Sequence, residues 1–255
     1  MTRSAEEFEC VRGLIGAGAN DCEVSRRTGI PRSTVRGWRV HGGELGTRSR
    51  SRTAGDCPRC GGKPLHPVWY AYLLGLYLGD GCLSEHPRDV YRLRINLDLR
   101  QPEILQECKE AITAVRGMSA RPPGAVQRTG CAEVYSFWKH WICLFPQHGP
   151  GRKHLRAIEL DPWQEEIVRA EPGRLLRGLI HSDGCRVIIN RVKVRGVRYA
   201  YPRYQFTNNS PDIRHIFCAA CDAYGVRWAR SNWNVVSISR GADVAKLDLV
   251  VGPKG

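Results

Sequence analysis

The chain has 255 residues, 42% of them hydrophobic and 25% charged, with a formal net charge of +14 and a pI near 9.6. That length and composition exclude a disordered tail or a small disulfide scaffold and leave room for one large domain beside a small one. The basic balance points to a polyanionic partner, nucleic acid ahead of an anionic membrane surface, and the longest apolar run, Val68 to Leu78, is too short to span a bilayer.

The charge is uneven along the chain. Residues 1–66 carry a net +5, residues 67–170 a net +1 and residues 171–255 a net +8. The first residues lack the apolar stretch of a secretory signal, and the eleven cysteines are scattered, so they read as reduced thiols of a cytoplasmic protein.

Residues 5–41 have the pattern of three short helices. Phe8, Val11, Leu14 and Ile15 give the first its apolar spacing, Asn20 or Asp21 caps a second ending at Thr28, and Pro31 suits the first position of a third. Ser25 to Trp38 resembles a helix-turn-helix, with Gly29 in the turn and Ile30, Val35 and Trp38 inward. That leaves Arg32, Ser33, Thr34 and Arg36 to face DNA. Residues 42–66 are rich in Gly, Ser, Thr and Arg without periodicity and read as a flexible basic linker. Within it, Cys57-Pro58-Arg59-Cys60 is half of a zinc knuckle. Four ligands are needed, no second half lies nearby in sequence, and Cys218 and Cys221 fall inside a helix, so no zinc is expected.

From residue 67 the chain repeats itself. Leu73-Leu74-Gly75-Leu76-Tyr77-Leu78-Gly79-Asp80-Gly81 matches Leu176-Arg177-Gly178-Leu179-Ile180-His181-Ser182-Asp183-Gly184, and each segment begins from a proline, Pro67 or Pro172. Behind them stand alternating strands, Arg92 to Leu99 and Arg191 to Arg195. Each is followed by a proline-started amphipathic helix, from Gln101 and from Ser210, and each helix closes on a glycine, Gly117 or Gly225. Such a duplication implies a pseudo-twofold axis. Gly75 with Gly79, and Gly178 with Ser182, put small residues on one helix face, so the two helices can approach closely and bring Asp80 and Asp183 to the same side. Two adjacent carboxylates repel unless a cation lies between them, and oxygen donors of this kind suit Mg²⁺. In the strands, Arg92, Arg94 and Asn96, and Arg191, Lys193 and Arg195, alternate with apolar residues, giving one face for helices and one basic face for DNA.

These paired segments resemble the signature helices of the LAGLIDADG family of homing endonucleases in its single-chain, two-motif form. The resemblance covers about residues 67–255. It implies an α+β fold of two αββαββα halves, 67–170 and 171–255; the helical pattern read above places a small all-α domain, 1–41, before them. It further implies a monomer acting as an internal pseudo-dimer, and Mg²⁺-dependent cleavage of both strands of double-stranded DNA with Asp80 and Asp183 as the metal-binding catalytic acids. The family also places a basic residue near the metals. Lys153 is the candidate in the first half, with Lys254, and after it Lys246, as its counterpart. The sixth motif position departs from the frequent acid, being Leu78 and His181 here. The alternative is a transcriptional regulator that joins the helix-turn-helix to a cleavage-inactive fold of this type.

Overall fold

The computed structural model describes residues 4–40, 57–118, 120–194 and 197–252, with the backbone alone at 5, 189–194 and 197–200. Its contacts divide into two compact units, Met1–Asp56 and Cys57–Gly255.

In the smaller unit, α1 (Ala5–Gly16), α2 (Asp21–Thr28) and α3 (Arg32–Val40) enclose Val11, Val24, Ile30 and Val35, with Leu14, Ile15 and Trp38 packed against them. Each start has a local cause. Ser4 and Glu7 form a capping box on α1, and the Asn20 side chain accepts from the Glu23 N–H at 3.0 Å on α2. Gly29, at φ +70°, ends α2 in the left-handed conformation that glycine adopts without strain. Pro31 lies one position before α3 rather than inside it, and its carbonyl accepts from the Thr34 and Val35 N–H groups.

The larger unit holds two halves with the same element order. The first comprises α4 (Pro67–Asp80), β1 (Gly81–His86), β2 (Val90–Asp98), α5 (Pro102–Arg116), β3 (Gly124–Arg128) and β4 (Cys131–Trp138), then α6 (Trp141–Leu144) and α7 (Pro162–Ala170). The second comprises α8 (Pro172–Asp183), β5 (Gly184–Val194), β6 (Val197–Thr207), α9 (Pro211–Tyr224), β7 (Ala229–Asn232), β8 (Val235–Ile238) and α10 (Gly241–Val251). Each half has a four-stranded antiparallel sheet, ordered β1-β2-β4-β3 and β5-β6-β8-β7. This is the duplicated αββαββα arrangement expected above. The second hairpin, β5–β6, has the longer strands, which accounts for the changed spacing between the copies.

Of the basic linker expected at 42–66, residues 42–56 lie outside the described residues. Residues 57–66 belong to the larger unit. Among the described residues no helix is long and apolar enough to cross a membrane.

The centre of the larger unit is the pair α4 and α8. Tyr70 to Leu78 are all buried, as expected of a helix that is apolar on every side and surrounded by protein. The halves meet at backbone distance. A Cβ on Gly75 would lie 2.6 Å from the Leu175 carbonyl oxygen and 2.7 Å from the Leu179 nitrogen. One on Gly178 would strike the Tyr72 carbonyl, and one on Gly79 would strike Ser182. Polar contacts from the second half lock the crossing. Arg177 forms a fork with Glu107 of α5, both bonds at 2.7 Å, and its remaining nitrogen donates to the Val250 and Val251 carbonyls at the end of α10. The buried His181 donates from Nε2 to the Val251 carbonyl at 2.9 Å, and its Nδ1 pairs with the Tyr72 hydroxyl at 3.0 Å.

This geometry predicts that Gly75→Ala lowers the unfolding free energy by about 1–3 kcal/mol, the usual cost of overpacking. Gly241→Ala, where a Cβ meets nothing within 4 Å, should change it by less than about 0.5 kcal/mol. Urea denaturation of the two variants beside the wild type measures the difference.

Candidate functional site

Asp80 and Asp183 are the last residues of α4 and α8, and a strand starts at the next residue in each half. No loop intervenes, because Gly81 and Gly184 fold directly back on the preceding turn. A Cβ at Gly81 would strike Tyr77, and one at Gly184 would sit 2.7 Å from the Ile180 Cα. Each aspartate is thereby held half-buried at a rigid helix-to-strand corner.

Each carboxylate lines its own cleft, and both halves build each cleft. Asp183 lies in a cavity of about 500 Å³ with Thr207, Asn208 and Asn209 of its own half and Gly79, Gly81 and Cys82 of the other. Asp80 lies in one of about 350 Å³ with Asp98, Arg100 and Gln101 of its own half and Ser182, Gly184 and Cys185 of the other. Gly79, Gly81 and Cys82 are the repeat equivalents of Ser182, Gly184 and Cys185, so the two clefts are related by the duplication.

The aspartates have different surroundings. The Asn208 amide donates to Asp183 Oδ2 at 2.5 Å. In the other cleft Asp98 and Arg100 form a bidentate pair at 2.6–3.1 Å, and Gln101 contributes to the lining. Asn208, Arg100 and Gln101 are absent from the sequence-based candidates. They stand between the end of a strand and the proline that starts the next helix, and aligning the two copies at Pro102 and Pro211 would have marked that junction.

Lys153 lies beside the Asp183 cleft, in a short 3₁₀ turn, Lys153–Leu155. Its ammonium donates to the Tyr77, Leu78 and Gly79 carbonyls in the last turn of α4, the first of which also takes the Gly81 N–H. A cation there offsets the negative end of the helix dipole, worth about 0.3–1 kcal/mol at exposed ends and up to about 2 where partly buried. Burial holds Lys153 down to about 8, and the attraction of Asp183 and then Asp80 only partly counters it. The chain thus supplies a positive charge where its two carboxylates converge. Of the expected counterparts, Lys254 lies outside the described residues. Lys246 lines neither aspartate cleft: it lies over the Tyr224 ring and donates to the Gly225 carbonyl at 3.4 Å, capping α9.

The strand faces sort as their alternation requires. Leu93, Ile95 and Leu97 are buried, while Asn96 is exposed and Arg92 and Arg94 half-exposed on the opposite face. That face is not uniformly basic. Glu133 on β4 takes Arg92 at 2.5 Å, Arg128 at 3.7 Å and Arg94 at 4.0 Å, and is itself only 3% exposed. Arg92 also lies over the Tyr135 ring, 4.6 Å from its centroid. Arg191 and Lys193 stand on β5, but their side chains, and Arg195 entirely, lie outside the described residues. Tyr204 on β6 faces inward. It is buried and its hydroxyl donates to Asp248 Oδ1 at 2.6 Å, an acid also held by Arg186. On the smaller unit Arg32, Ser33 and Arg36 are exposed along α3, and Thr34 is half-buried.

The Lys153 environment carries a pH prediction. Its folded-state value of about 8 lies below the ordinary 10.5, so between these limits the unfolded chain holds more protons. Stability should therefore rise with pH across that window relative to Lys153→Met, which lacks the titrating group. Urea midpoints of both proteins from about pH 7 to about pH 10 check the sign.

No protein-family model matches the sequence, and comparison with curated proteins finds no match. Among solved structures, the chain is similar to mesophilic variants of the homing endonuclease I-DmoI at 16% identity and TM-score 0.48, covering 73% of this chain and 97% of that one. It is similar to the LAGLIDADG meganuclease I-AabMI bound to uncleaved DNA at 15% identity and TM-score 0.43, covering 72% and 82%. It is also similar to the N-terminal LAGLIDADG domain of DUF199/WhiA at 11% identity and TM-score 0.45, covering 74% and 83%.

Proposed function

We propose that the protein binds double-stranded DNA sequence-specifically and cleaves both strands as a Mg²⁺-dependent endonuclease of LAGLIDADG type. The observation that carries this reading is the pair of duplication-related clefts, each with one aspartate at a helix end and walls from both halves. One carboxylate per cleft suits one phosphodiester per strand.

The donors present fit a hard divalent cation: carboxylate oxygens from Asp80 and Asp183, with the Gln101 amide in the Asp80 cleft. Asp80 and Asp183 would hold Mg²⁺, which when bound supplies Lewis acidity and a more acidic water. The chain's own groups have separate tasks. Asn208 orients the Asp183 carboxylate by its hydrogen bond, and Lys153 holds the end of α4 while placing positive charge beside the two acids. Arg94, Asn96 and Arg128 present donors on the first sheet face, with Arg191, Lys193 and Arg195 as the second-half equivalents by sequence. Arg92, held between Glu133 and Tyr135, steadies the face more than it reaches from it.

A second reading rests on the smaller unit. Its α3 exposes Arg32, Ser33 and Arg36, as a recognition helix would, and a regulator would use that helix together with a fold that binds without cutting.

Incubating the full chain with its native flanking DNA and Mg²⁺, beside Asp80→Asn and Asp183→Asn, separates the two readings. The nuclease requires double-strand cleavage by the wild type and a drop of at least about 100-fold in each variant with binding retained. Tight sequence-specific binding by the wild type with no nicking selects the regulator. For either one, binding should weaken steeply with salt, about a decade per few phosphate contacts between 50 and 200 mM, and a flat response would remove the phosphate-dominated interface.

A further inference from the structure

We propose that Cys57, Cys60, His140 and Cys143 form a structural zinc site that fastens residues 57–66 to the first half of the larger unit. Three thiols and an imidazole from two segments about 80 residues apart put their ligand atoms within 4.8 Å of one another. Along the sequence no second half of the knuckle lies near Cys57 and Cys60, which is why the pattern alone points to no zinc. That half is His140-Trp141-Ile142-Cys143, supplied by the N-cap and the single turn of α6.

The distances are those of ligands around a common centre. Cys60 Sγ lies 3.3 Å and Cys143 Sγ 3.7 Å from His140 Nδ1. Tetrahedral zinc, with bonds of about 2.3 Å to sulfur and about 2.0 Å to nitrogen, separates such ligands by about 3.5 Å. The backbone at both ends favours that arrangement. The Cys60 N–H points at Cys57 Sγ at 3.5 Å, the Gly61 N–H closes the turn onto the Cys57 carbonyl at 2.8 Å, and Gly62 leaves it at φ +70°. At the other end the Cys143 N–H donates to the His140 carbonyl at 3.1 Å, so a single turn sets both side chains on one side.

Packing alone does not explain the cluster. Cys108 and Cys221 are buried among apolar side chains, as free cysteines usually are, whereas Cys60 is exposed and still directed at an imidazole. Soft thiolates with one imidazole select zinc over Mg²⁺ or Ca²⁺, and four protein ligands leave no open position for catalysis. The structure also shows what a fastener would hold. Residues 57–66 have no regular element, with Cys57 buried and Leu65 partly so, and Arg59 lies over the Trp163 ring at 4.4 Å. The four-residue α6 is too short to persist without tertiary contacts.

The test uses the full chain, expressed in zinc-supplemented medium and purified under reducing conditions without chelator. Elemental analysis should find one zinc per chain. Cys60→Ser/Cys143→Ser should lose it and Cys10→Ser/Cys22→Ser should keep it. Cobalt added to the metal-free wild type should give thiolate charge-transfer and tetrahedral d–d absorption, which supports the site even if the double variant fails to fold. A zinc-selective chelator should lower Tm, reversed by zinc and not by magnesium. A folded wild type with neither zinc nor a cobalt spectrum overturns the proposal, as does full zinc retention in Cys60→Ser/Cys143→Ser.

Discussion

The contact between the backbones of α4 and α8 at Gly75 and Gly178 sets the geometry of the larger unit. With a Cβ meeting backbone atoms from either side, the helices can lie this close only if both positions lack one. Close approach fixes their relative height and angle, and therefore where their last residues emerge. Since a strand begins directly after each aspartate, the same contact also sets where the two sheets start. Arg177 and His181 then tie α8 to α4, α5 and the end of α10, so the crossing is held by polar geometry as well as packing.

That arrangement has an electrostatic cost. Two helix C-termini and two carboxylates point the same way, and each would raise the energy of the other in a half-buried setting. Lys153 offsets part of this by donating to three carbonyls at the end of α4 within the field of both acids. The clefts are alike in construction yet unlike in partners: Asn208 and Lys153 serve the one at Asp183, whereas Asp98, Arg100 and Gln101 surround the one at Asp80. A duplicated scaffold with diverged side chains lets two sites of one plan differ in charge and hydrogen bonding. The outer face of the first sheet shows similar moderation. Glu133 gathers three arginines, so the face is ordered and less positive than its residue count implies.

Much of this was legible in the sequence because it is local or periodic. The repeated nonapeptide, the prolines starting α4, α5, α8 and α9, the closing glycines at 117 and 225 and the alternation of Leu93, Ile95 and Leu97 each have a short-range signature. The apolar core of α1–α3 and the turn at Gly29 were legible for the same reason. What could not be read was pairing across distance. Glu133 with Arg92 and Arg94, Arg177 with Glu107, Tyr204 with Asp248 and Asn208 with Asp183 join residues 25 to 70 positions apart, and no pattern within one segment marks them.

The cysteines give the clearest contrast. By itself the chain determined a duplication, two helices with small residues on one face and an aspartate at the end of each, because helix and strand periods follow from backbone geometry and can be counted along one dimension. Only the tertiary structure decided which groups face those aspartates and that Cys57 and Cys60 meet His140 and Cys143. Ligands and charge partners are selected by distance in space, and separation along the chain carries almost no information about that distance once the intervening segments have folded.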